Sequence, residues 1–186
     1  NGNNIADYSV FNNYLTRLGY KFKNENHEAG GYVIFKNKKI SLIIDAGSTP
    51  QFKYTKDYQS GALSFEIISN GKKLISNCGY HKKYNTKFNQ LSKSTAAQST
   101  LTIDDTSSCK FTKVENFFLV KKGVKIIKKN EIFKKNYWKI TAAHDGYLKK
   151  YQSIHEREIE FYPEQMKFIG FDKLQRKNNF KDIKFD

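Results

Sequence analysis

Residues 57–79 read DYQSGALSFEIISNGKKLISNCG, and this stretch decides the fold. Across residues 62–69 the side chains alternate, with Leu63, Phe65 and Ile67 pointing one way and Ser64 and Glu66 the other, the period of a half-buried strand. Asn70-Gly71 supplies the pair of positive φ angles that a two-residue hairpin loop demands. Residues 72–78 then return as the partner strand, closed by Gly79. Such a loop sets Ser69 opposite Lys72, Phe65 opposite Ser76 and Ser64 opposite Asn77.

The flanking sequence keeps the same habit. YVIFK and ISLIIDAG read as paired strands about Asn37-Lys38, and Asp45 to Pro50 forms the loop that leads into the hairpin. Further on, residues 100–103 read as a strand ending at an Asp104-Asp105 turn, and FFLVKKGVKII as a second hairpin about Lys122-Gly123. YWKITAAHDGY runs from a strand into a turn at Asp145-Gly146. HEREIEFY alternates with His155, Arg157, Ile159 and Phe161 on one face and three glutamates on the other. From Met166 onward a strand, a loop and the opening of another strand are expected. Ahead of all this, Phe11, Tyr14, Leu15 and Leu18 fall at helical spacing and Gly19 is a natural stop, so one short N-terminal helix is expected. Many short strands with turns between them and a single helix define an all-β chain, an antiparallel multi-sheet sandwich.

Composition narrows the function. The 186 residues suffice for one domain with a real core. Only 38% are hydrophobic, but 12 Tyr and 15 Phe let a few large rings fill the space between sheets. No apolar run reaches the length of a membrane span. Residues 1–9 carry neither the basic nor the apolar region of a secretory leader. Thirty-three Lys and Arg against 18 Asp and Glu give a formal charge of +15, which attracts nucleic acid, acidic lipid or acidic polysaccharide. A Lys- and Asn-rich composition is the bland source of the same charge, and paired lysines such as Lys72-Lys73 also blunt sheet edges. Two cysteines make no disulfide framework. Cys78 on its strand reads as a small buried hydrophobe, and whether it bridges Cys109 is a matter of proximity that sequence leaves open.

Three segments in order, SGALSFEIISNGKKLISNCG, STAAQSTLTIDD and AAHDGYLKKYQSIHEREIEF, together with NGNN and GGYVIFKNKKISLIIDAG, resemble the C-terminal β-domain of the heparinase II/III-like proteins. The resemblance implies a super-sandwich of antiparallel sheets over residues 31–186, incomplete at its C-terminal end. It also implies a linker and short helix over residues 1–30 that follow an (α/α) toroid domain of the parent chain. It implies a polysaccharide lyase that splits uronic-acid polymers by β-elimination, in a cell envelope or periplasm. The principal catalytic groups of the family lie in the toroid, so a β-domain alone is expected to be inactive. Several members hold a zinc ion with His, Asp and His at positions that here read Gln59, Asn77 and Gln98. Three neutral amides offer zinc neither charge nor a good nitrogen donor, so no cofactor is expected. A hydrogen-bonded trio of amides is expected in place of the ion. Bringing Gln59 to Asn77 requires a bulge, for which Ser60-Gly61 is the natural place.

Other candidates carry two readings each. His144, His155 and Arg157 either meet a uronate carboxylate beside the cleft or form a turn cap and a salt-bridged sheet face. Tyr80, His81, Lys82, Lys83 and Tyr84 interleave rings that stack on sugars with charges that attract carboxylates, or else form a solvated loop with anchoring aromatics. The same mixture suits single-stranded nucleic acid, although no RNP motif, zinc finger or recognition helix is present. A metal site built from His81, His144 and His155 has no supporting spacing. The competing function is a non-catalytic carbohydrate-binding or structural sandwich that has lost the family's metal site.

Overall fold

The structure, a computed structural model, describes residues 5–20, 27–84 and 86–176. Helix α1 (Ile5–Arg17) is stopped by Gly19, whose φ of +83° is the left-handed turn glycine takes at a helix end. Phe11 and Tyr14 on it, and Leu18 just past its end, are exposed.

Five antiparallel strands follow in simple meander order: β1 (His27–Ala29), β2 (Tyr32–Lys36), β3 (Ile40–Asp45), β4 (Phe65–Ser69) and β5 (Lys72–Ile75). Facing them is a four-stranded sheet in the order β11-β10-β9-β8, from β8 (Ile126–Lys134), β9 (Tyr137–His144), β10 (Ser153–Tyr162) and β11 (Lys167–Arg176). A ribbon of β6 (Lys110–Val114) and β7 (Phe117–Lys122) stands beside them. Alternation drives the layering: Val33, Phe35, Ile40, Leu42, Ile44 and Ile67 of the first sheet bury against Trp138, Ile140, Ile159 and Phe161 of the second. Trp138 sits 4.8 Å from the Phe161 ring and 5.8 Å from Phe35, centroid to centroid. Each fully buried ring of this size contributes about 2–3 kcal/mol of transfer free energy.

The inward face of β10 changes character along its length. Phe161 pairs with Trp138 and Ile159 with Ile140, but Arg157 pairs with Ala142 and His155 with His144. One end of the sandwich interior is therefore apolar and the other is polar.

Several expectations need correction. The central hairpin keeps its Asn70-Gly71 turn and sets Ser69 opposite Lys72, but Ile67 pairs with Ile75 and Ile68 with Lys73, so Leu74 is an extra residue. The bulge thus lies in the return strand, not at Ser60-Gly61, and it breaks the register that set Phe65 opposite Ser76 and Ser64 opposite Asn77. The outgoing strand starts at Phe65, because Leu63 has a φ of +61° and Ser64 N–H donates back to the Gly61 carbonyl. FFLVKKGVKII is no hairpin: β7 and β8 belong to different sheets, and the chain crosses between them at Gly123, where any Cβ would collide with Thr49. Residues 100–103 form no strand but enter a tight turn with Asp104 and Asp105 both at positive φ, bridged from Ile103 to Thr106.

Two further helices join the expected one. The first, α2 (Lys87–Lys93), arises in the polar loop because Thr86 caps it, its Oγ1 accepting from Asn89 N–H at 3.1 Å; the second is α3 (Leu148–Tyr151). Cys78 is exposed rather than buried, and both cysteines are free. The expected final strand, the opening NGNN and Glu25 lie outside the described residues.

Candidate functional site

Gln59, Asn77 and Gln98 line one cavity of about 290 Å³, together with Tyr32, Asp45, Tyr54, Asp57 and Tyr58. Three separate elements deliver the amides. Gln59 stands just before the Gly61–Ser64 turn, Asn77 follows the bulged strand β5, and Gln98 ends the 3-10 turn Thr95–Ala97. The expected amide-to-amide bonding does not form. Asn77 Oδ1 accepts from Ser99 N–H at 2.8 Å and its Nδ2 makes a long 3.5 Å contact to Ser64 Oγ. Gln98 Nε2 donates to the Ser92 carbonyl at 3.0 Å. Gln59 is half-buried, and its side chain has no hydrogen bond among the described residues.

Two carboxylates on this wall had no sequence signal of their own. Asp45 accepts from Gly47 N–H at 3.2 Å, yet burial pushes its carboxyl up to about 6. Asp57 Oδ1 accepts from the hydroxyls of Tyr80 at 2.9 Å and Tyr84 at 3.1 Å. The phenols of Tyr58 and Tyr80 are raised, in both cases chiefly by burial. Around them Lys56 Nζ lies 4.6 Å from the Tyr84 ring and 4.2 Å from that of Phe117. Neither histidine nor cysteine lines the cavity.

The aromatic, basic loop is thereby divided. Tyr80 and Tyr84 turn toward Asp57 at the cavity, whereas His81 stacks obliquely on Phe88, 5.8 Å between centroids, over a neighbouring shallow groove. Lys82 and Lys83 are exposed and line neither depression.

His144, His155 and Arg157 lie together but inside the sandwich. Gly146 N–H donates to His144 Nδ1 at 3.0 Å, which leaves Nε2 as the protonated nitrogen of a neutral ring. That Nε2–H donates to His155 Nδ1 at 3.1 Å, and His155 Nε2–H donates to Asp172 Oδ1 at 2.7 Å. Each bond fixes the next, so one tautomer of the pair satisfies all three. Arg157 completes the set with a fork to Asp172, Nε to Oδ1 at 2.7 Å and Nη2 to Oδ2 at 2.8 Å. Its remaining arm, Nη1, donates to the carbonyls of Leu63 at 2.8 Å and Ser99 at 2.6 Å.

Electrostatics follow from this geometry. Burial, then the neighbouring His155 and Arg157, hold the His144 ring down to about 3, so it is neutral at physiological pH. Burial alone would raise the Asp172 carboxyl, but the hydrogen bonds from His155 and Arg157 outweigh it and keep the group well below the usual carboxylate range. These side chains are occupied with one another and with the backbone, not turned toward a ligand. Their outlet is mechanical. Ser99, held by Arg157, also exchanges hydrogen bonds with Phe65 through its hydroxyl and donates its N–H to Asn77, so the network anchors the cavity wall from behind.

Asp172 was missed in the sequence although a signal existed. A hairpin turning at residues 163–166 sets Tyr162 opposite Lys167, which places Arg157 opposite Asp172, an opposite-charge cross-strand pair.

With the fold and cavity defined, comparison with known proteins is direct. The chain belongs to the heparinase II/III-like C-terminal family, which matches residues 23–181. Among solved structures it is similar to a mutant heparan sulfate lyase HepC from Pedobacter heparinus, at 18% identity and a TM-score of 0.61, covering 91% of this chain and 26% of that one. It is also similar to a heparinase III gene product, at 16% identity and a TM-score of 0.60, covering 92% of this chain and 26% of the other. The chain thus spans about a quarter of the length of the solved proteins it matches. No curated protein sequence matches.

Proposed function

We propose that this chain is the C-terminal β-domain of a polysaccharide lyase acting on an acidic, uronate-containing polysaccharide, and that it forms one wall of the substrate cleft. A helical toroid of the same parent chain forms the opposing wall. The observation that carries this reading is the polar cavity that brings Gln59, Asn77 and Gln98 together on a domain of the heparinase II/III-like C-terminal family.

β-Elimination removes the proton α to the uronate carboxylate and expels the 4-linked sugar. It needs a base, an acid and groups that stabilise the carboxylate as charge develops. This wall supplies the third kind of help. Gln59 has an unengaged amide that can donate to a carboxylate or a sugar hydroxyl, and the Asn77 backbone is fixed by the Glu66 carboxylate through its N–H at 3.2 Å. The exposed Tyr54 presents a ring face and a hydroxyl of the kind sugars use, while Tyr58, whose hydroxyl accepts from Thr49 Oγ1 at 3.2 Å, packs as a structural part of the wall. Asp45, raised to about 6, is a proton-holding group on the same wall. Zinc does not fit here. Its preferred imidazole and thiolate donors are missing from the cavity lining, the Asn77 oxygen is taken by Ser99 N–H, and the lining donors are neutral amides, phenols and two carboxylates.

The neutral amides at Gln59, Asn77 and Gln98, where the resemblance implies metal ligands, also favour a second reading, a carbohydrate-binding wall without turnover. Incubating the full parent protein with uronate polymers and following the ultraviolet absorbance of the new carbon–carbon double bond separates the two. Rising absorbance on any such polymer supports the lyase. A flat trace on all of them, with retained binding, establishes the second reading.

A further inference from the structure

A second depression, a groove of about 610 Å³, shares no lining residue with the amide cavity and has a different chemistry. Lys110 and Lys122 of the β6–β7 ribbon and Lys149 and Lys150 of α3 line it, with the half-buried ring of Phe111 and the Thr106 hydroxyl, and no carboxylate is among its lining residues. Lys110 and Lys122 are direct cross-strand partners. Like charges placed so are mutually destabilising, and an anion between them reverses the sign. Among the described residues, Lys73, Lys128, Lys129 and Lys139 on the sheets are matched with Glu66, Glu156, Glu28 and Glu158. Among the described residues Lys110, Lys122 and Lys149 have no such partner, and Lys150 Nζ bonds only a neutral hydroxyl, Thr106 Oγ1 at 2.8 Å, while lying 4.8 Å from the Tyr151 ring.

We propose that this groove is a binding site for an anionic saccharide, whose sulfate or carboxylate groups lie between the Lys110–Lys122 pair on one side and Lys149–Lys150 on the other. Phe111 offers an apolar surface for a sugar ring. A single-stranded nucleic acid of similar charge needs successive aromatic platforms for its bases, and the groove provides one ring. This inference stands on charge and geometry and does not require that the parent be a lyase.

The test titrates the 186-residue chain by calorimetry, at about 0.15 M salt, with a heparin hexasaccharide, an oligogalacturonate of equal length and a random single-stranded DNA. The first two distinguish sulfate from carboxylate as the preferred group. The double variant Lys110→Gln/Lys122→Gln weakens binding of the preferred saccharide at least about tenfold, equivalent to about 1.4 kcal/mol, and Lys149→Gln/Lys150→Gln does the same. Lys134→Gln/Lys135→Gln, an equal loss of charge at the far end of the β8–β9 pair, changes it less than about twofold. Without ligand the first double variant melts no lower than the parent chain, because a repelling pair has been removed. Equal losses in all three variants, or a lower melting point for the first, overturn the proposal. DNA binding as tight as that of the saccharides and equally sensitive to Lys110 and Lys122 overturns it in favour of nucleic acid. Saccharide binding that survives both Lys110→Gln/Lys122→Gln and Lys149→Gln/Lys150→Gln undiminished lies outside this groove and overturns the proposal as well.

Discussion

The network around Arg157 and the cavity around Gln59 are both polar, lie on either side of the Leu63 and Ser99 backbone, and are finished to different degrees. Around Arg157, two rings, a guanidinium and a carboxylate bond one another and the backbone in one consistent direction. Around Gln59, one amide has no partner among the described residues and the others bond residues outside their trio. The difference teaches what each is for. His144, His155 and Arg157 are out of water and must be satisfied within the fold, with the partly exposed Asp172 at their edge, so the network is a clamp; Gln59 faces the open cavity and is left to water or a ligand, so it is a contact surface.

The comparison breaks most readily at the clamp. Replacing the buried Arg157 with Ala leaves the Leu63 and Ser99 carbonyls without their donor and the partly exposed Asp172 without its fork, and is expected to cost about 2–3 kcal/mol in urea unfolding. A loss under about 1 kcal/mol means the polar end of the sandwich is not held by this residue.

Acid probes the same contrast through the two regions' opposite signs. The His144 ring titrates near 3 in the fold against about 6.5 when free. The unfolded chain therefore takes up the proton first, and stability is full above about pH 6.5 and falls, by a few kcal/mol, as pH drops toward 3. Asp172, held below its ordinary 3.8, adds a loss of the same sign at still lower pH. Asp45 in the cavity works the other way: its folded carboxyl, raised to about 6, favours the fold at low pH, and that contribution disappears as pH rises through about 6. Urea midpoints measured from pH 3 to 8 are expected to show a flattened acid limb in His144→Leu and a steeper one in Asp45→Asn. Identical limbs in both variants refute the assignment.

Smaller effects sharpen the boundary between the regions. Asn77→Ala strips the Ser99 N–H of its acceptor and is expected to cost about 1–2 kcal/mol. Gln59→Ala is expected to change stability by less than about 0.5 kcal/mol, while weakening the binding of a uronate oligosaccharide followed by nuclear magnetic resonance. If Gln59→Ala destabilises the chain as much as Asn77→Ala, the two amides do the same job and the distinction between clamp and contact surface fails.

Much of the layering was legible in the sequence. The alternation in YVIFK, ISLIID and HEREIEFY specifies which faces meet, and Asn70-Gly71 specifies its turn, because both depend on neighbours a few residues apart. The Arg157–Asp172 pair was equally accessible once the turn at residues 163–166 set the register. The bulge at Leu74 was not, since an extra residue in one strand is defined only by what the partner strand does. Nor was the break between β7 and β8 foreseeable, because Lys122-Gly123 looks like any hairpin turn until Thr49 is found against it.

The sequence by itself determined the strand faces, the turns, the excess of positive charge and the presence of amides at residues 59, 77 and 98, all of them properties of short stretches read along the chain. Only the tertiary structure decided that Gln59 is left unengaged while Asn77 is bonded, that two histidines share one tautomer, and that four lysines gather in a groove without a carboxylate. Each of these depends on which distant segments come within hydrogen-bond or ion-pair reach, and contacts of about 3 Å between residues 11 to 94 positions apart are set by packing.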